Sequence, residues 1–243
     1  MTYQPLQPDL FRFLLPVCLD AWAEDLQGRG PYAGFVEQLY PALVRSRCLD
    51  TMLDTRERDA VYAFLRAAIL EVIDREQALS FSGMHASPYR WIAAFTTHGV
   101  LAPDVDALWT EWWSLATSGR AVAALQYASC LAYDASHDPV FAPWTRDGGG
   151  GPPTLWDYAG HLYEDRWRPE NVAFLERTLG AEYVLGRIDA AVEVLRGAPT
   201  EEAAAMLRDD LPAQRERLEH RCAELPRLLA TPGRAGELRR WSA

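Results

Sequence analysis

Apolar residues recur at three- and four-residue intervals along most of the chain, and this spacing predicts amphipathic helices. The first apolar stripe spans residues 9–26. Pro16 lies within it and predicts a kink or an interruption, because proline removes a hydrogen bond from the helix interior. The apolar members are Leu10, Phe13, Leu14, Val17, Trp22 and Leu26. The pattern predicts a helix that packs one apolar side into a core.

Capping residues predict where several helices begin and end. Asp54 is followed three residues later by Glu57, a capping-box pattern that predicts a helix start. Ser87 and Pro88 predict the start of another helix, and Gly99 predicts its end in a left-handed cap.

Tryptophans mark the next helix, which Pro103 is predicted to open and Gly119 to separate from its successor. Trp109, Trp112 and Trp113 fall at positions i, i+3 and i+4, so two or three of them share one helical stripe. Stripes of this kind are mostly buried, and we predict most of these residues to lie in the core. Trp113 points about 100° away from Trp112 around the helix, and a tryptophan left exposed would be a candidate for protein binding.

The same spacing predicts five further helices, over residues 32–45, 169–180, 181–197, 200–211 and 213–229. Alternation of apolar and polar residues never persists long enough to predict a strand. The sequence therefore predicts an all-α fold, either an irregular multi-helix bundle or a solenoid-like helical domain with one long ordered loop.

Residues 1–197 are predicted to form the helical core domain, including the loop 135–153. Residues 198–243 are predicted to form a peripheral charged hairpin and a frayed tail, because aromatic residues give way to charged ones.

The net negative charge of the chain argues against some classes of binding partner. The 243 residues carry 34 acidic and 24 basic side chains, a formal net charge of -10, and every basic side chain is an arginine. Nucleic acids and anionic membranes select clustered cations, so the acidic balance argues against both. An acidic protein suits a basic protein partner, or its charge serves only to keep it soluble.

The four cysteines, Cys18, Cys48, Cys130 and Cys222, form no C-x-x-C pair. No signal peptide is recognisable at the start, and no stretch is apolar enough to span a bilayer. We therefore expect reduced thiols and a cytoplasmic location.

The known motifs of nucleotide binding and nucleophilic catalysis are missing. The glycine run 148–151 precedes two prolines, and the chain has no lysine, so it matches neither a Walker loop nor a dinucleotide loop. A G-x-S-x-G elbow is also missing. No cofactor is predicted.

The loop segment PWTRDGGGGPPTLWDY, residues 143–158, combines helix-breaking residues with apolar anchors. Irregular segments of this length are uncommon as simple connectors. The segment is either a structural loop that brings the backbone close to the core or a recognition surface, since loops often carry binding residues. The residues predicted to bind a partner are Trp144, Arg146, Asp147, Trp156 and Asp157.

A metal site is the weaker alternative in this region. Asp157, His161 and Asp165 are spaced at i, i+4 and i+8, so they would share one face of a helix. Arg166 and Arg168 follow closely, which favours surface ion pairs instead, and we predict no metal.

Two pairs of segments resemble all-helical proteins of GC-rich bacteria that carry no catalytic assignment. The first pair is DLFRFLLPVCLDAWAEDL, with the aromatic-rich FRFLLP near its start, and LDTRERDAVYAFLRAAI. The second pair is DPVFAPWTRDGGGGPPTLWDY and WRPENVAFLERTL. The resemblance implies no residue roles.

Together these features favour a cytoplasmic bacterial protein that binds another protein, with an immunity- or inhibitor-like role as the concrete form. One alternative is an enzyme of unrecognised class with a pocket beneath loop 135–158, using Asp157, His161 and Asp165. Another is a structural subunit of an assembly. The sequence favours a protein that is not an enzyme and leaves the oligomeric state open.

Overall fold

The computed structural model describes residues 7–29, 47–79, 87–133 and 166–231, together with Leu39 and Leu43. The described residues form ten α-helices and one 3₁₀ turn, with no strand among them, which confirms the all-α prediction. The helices are α1 (Pro8–Leu26), α2 (Cys48–Met52), α3 (Thr55–Asp74), α4 (Ser87–Leu101), α5 (Val105–Trp112), α6 (Ser118–Ala132), α7 (Pro169–Thr178), α8 (Ala181–Val194), α9 (Glu201–Asp210) and α10 (Arg215–Ala230), with the 3₁₀ turn at Leu211–Gln214.

Helix α6 lies at the centre of the bundle, and every residue from 121 to 132 in it is buried. Helices α3, α8, α9 and α10 pack around it. Its sequence, SGRAVAALQYASCLA, is rich in small residues, which let neighbouring helices approach closely on several sides. A helix that is apolar on all sides is a core helix.

Aromatic rings fill the space between α4, α5 and α6. Trp109 stacks on Trp113 with their ring centroids 5.0 Å apart, and Trp91 meets Trp112 edge to face at 5.0 Å. The predicted burial of Trp109, Trp112 and Trp113 is confirmed, since each is at most 1% exposed. Trp113 directly follows α5 as its C-cap, so the tryptophans cover a wide arc rather than one stripe.

Hydrogen bonding in this aromatic core is incomplete. The indole N–H of Trp109 donates to the Tyr183 hydroxyl at 3.0 Å. Four other buried indole nitrogens have no hydrogen-bond partner among the described residues; they belong to Trp91, Trp112, Trp113 and Trp167. Each such group costs about 1–3 kcal/mol of desolvation, which ring packing has to offset.

Several predicted boundaries are confirmed. The capping box at α3 is formed in both directions: Glu57 N–H donates to the Asp54 carboxylate and Asp54 N–H donates to the Glu57 carboxylate, each at 2.9 Å. Pro169 begins α7 as predicted. Of the helix predicted over 32–45, only Leu39 and Leu43 lie within the described residues, and both are helical and buried.

Other boundary predictions are wrong. Helix α1 runs through Pro16, so the predicted interruption is wrong, while the alternative of a kink stays a prediction. Helix α4 continues past Gly99 to Leu101, and α5 begins at Val105 rather than Pro103. Gly119 lies in the first turn of α6, behind the N-cap Thr117.

All four cysteines are free thiols, as expected, and three of them are buried. Burial raises the pKa of the Cys222 thiol to about 12, so this cysteine is not a reactive thiolate. Among the described helices, none combines the length and apolar character needed to cross a bilayer.

Candidate functional site

The binding residues predicted in the loop lie outside the described residues, as do the members of the alternative metal set. They are Trp144, Arg146, Asp147, Trp156, Asp157, His161 and Asp165. Their roles stay predictions. In the part of the chain that the structure describes, no group of three or more histidine, cysteine or acidic residues could hold a metal ion.

Helix α1 carries an exposed apolar surface, here called the α1 stripe: Leu10, Phe13, Leu14 and Val17. Phe13 is 76% exposed and Val17 is 66% exposed. Leu10 and Leu14 are exposed as well, at 49% and 41%. Spacing at i, i+3, i+4 and i+7 places all four side chains on one side of the helix. Contiguous exposed apolar surface of this kind marks an interaction site more often than isolated apolar residues do.

The core side of α1 is formed by a second apolar set, which sequence spacing did not separate from the first. This set is Phe11, Leu15, Leu19, Trp22 and Leu26, all buried. At about 100° per residue it lies on the opposite side of the helix from the α1 stripe. The apolar set that predicts this helix is therefore divided: Trp22 and Leu26 are buried, whereas the four residues of the α1 stripe are exposed. The missed signal is that α1 is apolar on two opposite sides.

Acidic residues flank the α1 stripe. Asp20 and Glu24 are exposed and follow Val17 at i+3 and i+7, so they continue the same side of the helix. Asp9 is fully exposed at the other end. Arg12, on the same helix, forms an ion pair with Glu57, in which Arg12 Nε lies 3.3 Å from Glu57 Oε1. The surroundings of the stripe are therefore negative.

A second surface feature has the opposite charge. A cavity of about 330 Å³, here called the cationic cavity, is lined by Arg47, Arg166 and Arg168, and Asp50 is the one acidic residue among the described residues of its wall. The sequence suggested Arg166 and Arg168 as partners in surface ion pairs. Arg168 does lie 3.3 Å from Asp50, whereas Arg166 has no ion pair with any described residue.

The segment of residues 166–168 is held in place by its backbone and by one buried side chain. Trp167 N–H donates to the carbonyl of Leu229 at 2.8 Å, and Arg168 N–H donates to the carbonyl of Gly99 at 3.1 Å. The Trp167 indole lies directly against Gly99, where a Cβ atom would come within 2.4 Å of the ring. Burial of Trp167 thus fixes the backbone from which the two neighbouring arginines project.

A buried polar network joins α3, α4 and the start of α5. His98 is 1% exposed, and its Nε2 lies 2.7 Å from Asp104 Oδ1. Arg66 donates to the other oxygen of the same carboxylate. Burial favours the neutral acid, but the hydrogen bond to His98 and the charges of His98 and Arg66 outweigh it and hold the pKa of Asp104 below its usual value.

This network resembles the base-orienting half of a nucleophilic site, in which a carboxylate fixes one nitrogen of an imidazole. The other ring nitrogen, Nδ1, is buried and has no hydrogen-bond partner among the described residues. An imidazole that is 1% exposed cannot meet a substrate, so the network ties helices together rather than serving a reaction.

Comparison of the chain with protein-family models, with curated proteins and with solved structures finds no match.

Proposed function

We propose that the protein is a binding module that docks a helical segment of another protein on the α1 stripe. The exposed Phe13 side chain, with Leu10, Leu14 and Val17 beside it, carries the proposal. An amphipathic helix presents its anchors at the same i, i+3, i+4 and i+7 spacing, so two such surfaces pack against each other along their length.

Charge indicates which helix would bind. Asp9, Asp20 and Glu24 surround the α1 stripe, so a partner helix with arginine or lysine beside its apolar side is complementary. This agrees with the basic partner expected from the net charge of -10. In its concrete form the proposal is an immunity- or inhibitor-like protein of the bacterial cytoplasm that covers a basic helical surface of its target.

The test compares capture by the wild type with capture by two matched variants. Phe13→Glu places a charge in the α1 stripe. Met206→Glu makes the same change at an apolar side chain on α9 that is 48% exposed. Both sites face solvent, so both variants should keep the wild-type melting temperature. We expect wild type and Met206→Glu to retain one protein from host lysate, and Phe13→Glu to lose it by at least about tenfold, the effect of a hot-spot residue.

Two outcomes would contradict the proposal. If Phe13→Glu captures the same protein as the wild type, the binding surface is not the α1 stripe. A wild-type dimer in light scattering that becomes a monomer in Phe13→Glu would assign the α1 stripe to a second copy of this chain. The charge argument is checked separately, since Asp20→Asn with Glu24→Gln should weaken capture and reduce its dependence on salt.

A further inference from the structure

We propose that the cationic cavity is a binding site for the phosphate group of a small phosphate monoester. The site is separate from the α1 stripe and does not depend on its function. Three guanidinium groups line a space of about 330 Å³ in a protein whose net charge is -10.

Among the described residues, the three arginines of the cavity outnumber the carboxylates that pair with them, which are Asp50 and, 4.0 Å from Arg168, Glu170. Asp50 is shared by Arg168, at 3.3 Å, and by Arg47, at 3.8 Å. Both distances exceed the 2.7–2.9 Å of a good charge-assisted hydrogen bond. Arg166 makes no hydrogen bond or ion pair with any described residue. Among the described residues, three arginines therefore face two carboxylates, Asp50 and Glu170, and an excess of about one positive charge remains.

Arg168 is positioned before any ligand arrives. Its Nε donates to the Leu101 carbonyl at 2.9 Å, and one terminal nitrogen lies 3.4 Å from the Tyr62 hydroxyl. These contacts hold the plane of the guanidinium, so little side-chain entropy is lost on binding. Helix α7 begins at Pro169 in the cavity wall, which adds positive partial charge at the same place.

The charge and size of the cavity favour a phosphate monoester. A monoester carries close to two negative charges at neutral pH and offers three oxygens to the guanidinium forks, whereas a carboxylate carries one charge and two oxygens. Apolar residues such as Leu49 and Val100 also line the cavity, so it has room and partners for a small organic group on the phosphate.

The test is calorimetric titration of the full chain with phenyl phosphate, with inorganic phosphate and benzoate as comparison probes. We expect saturable binding of phenyl phosphate, with inorganic phosphate weaker. Arg166→Gln should weaken binding by about tenfold, the effect of losing one charge-assisted hydrogen bond. Asp50→Asn should strengthen it, because the competing carboxylate is removed.

Arg56→Gln is the matched control, since Arg56 is exposed on α3 and the variant has the same net charge as Arg166→Gln. It should bind like the wild type. Equal losses in both variants would show a general charge effect and overturn the site. Absence of heat with phenyl phosphate up to ~10 mM would also overturn it. Benzoate binding as tightly as phenyl phosphate would overturn the phosphate assignment.

Discussion

Asn171, the only asparagine of the chain, joins three helices through one side chain. Its amide nitrogen donates to the carbonyls of Gly99 and Ala102, at 2.8 and 2.7 Å. Its oxygen accepts from Val105 N–H at 3.3 Å. The carbonyls at the end of α4 and an N–H at the start of α5 would otherwise be buried without partners. A side chain on α7 thus replaces the glycine cap expected at Gly99.

Asp104 makes stability depend on pH. Its folded-state pKa lies below the ordinary value of 3.8, so it stabilises the fold above that pH, and the contribution is lost as pH falls through the lower folded value. We expect Asp104→Asn to lower the free energy of unfolding by about 2 kcal/mol at pH 7, because charge-assisted bonds to His98 and Arg66 are lost.

Urea unfolding of Asp104→Asn and wild type at pH 7, 5 and 3 measures this effect. The difference in free energy of unfolding between wild type and Asp104→Asn should be the same at pH 7 and pH 5 and smaller at pH 3. Asp106→Asn is the control, since Asp106 is exposed on α5. A difference that stays constant down to pH 3 would show that the Asp104 contribution is not ionic.

At the scale of helices, two glycines predict boundaries that the structure does not have, whereas Gly180 does lie between α7 and α8. Gly99 and Gly119 were both interpreted as helix boundaries, and both lie inside helices. In each case a neighbour occupies the space that a Cβ atom would need: the Trp167 ring beside Gly99 and the Asp74 carbonyl beside Gly119. Sequence shows that a glycine permits unusual backbone angles, but only tertiary packing shows that it is needed for close approach.

The close approach of α3 and α6 at Gly119 predicts the effect of an alanine substitution there, and Gly186 serves as the control position. A Cβ atom at Gly119 would lie 2.3 Å from the Asp74 carbonyl oxygen, so Gly119→Ala must push the helices apart. We expect a loss of ~1–3 kcal/mol in the free energy of unfolding. Gly186, inside α8, has nothing within 4 Å of the same position. There Gly186→Ala should add ~0.5–1 kcal/mol.

Chemical denaturation of the two alanine variants beside the wild type checks this pair. Opposite signs are expected. A stabilised Gly119→Ala would show that α3 and α6 do not approach as closely as described.

The spacing of apolar residues in α1 does not show which side of the helix faces solvent. Its existence was clear from the apolar periodicity. Apolar residues occupy two opposite sides, however, and Phe11 and Phe13 are equally suited to a core. Which side packs inward depends on α2, α3 and α4, which α1 contacts. The cationic cavity was missed for a related reason, because Arg47 and Arg166 are far apart in sequence.

Considered as a whole, the described helices share one core. The division at residue 198 stays a prediction. Leu207, Leu211 and Leu218, which follow it, are fully buried and belong to the same apolar cluster as the aromatic rings. Helix α10 contacts α6, α7 and α8. These contacts link the charged helices after residue 198 to the stability of the rest.

We therefore expect a single unfolding transition that includes α9 and α10. Leu218→Ala should lower its stability by ~2–5 kcal/mol, as for a buried leucine, while Glu219→Ala at the next, exposed position should change it by less than ~0.5 kcal/mol. Urea unfolding followed by near-UV and far-UV circular dichroism measures both, since aromatic residues are missing from 198–231. Separate transitions in the two signals would establish a hairpin that unfolds independently.

The stacked pair of Trp109 and Trp113 also has an optical consequence. Two indole rings held 5.0 Å apart and tilted by 23° have coupled electronic transitions, and neighbouring Trp112 joins them at 5.5 and 5.2 Å. Coupled indoles produce a paired positive and negative band in circular dichroism that depends on their mutual orientation. This pair of bands is therefore an intrinsic signal of the aromatic core. A ligand or partner that shifts α5 would change it, so the shift can be followed without an added label.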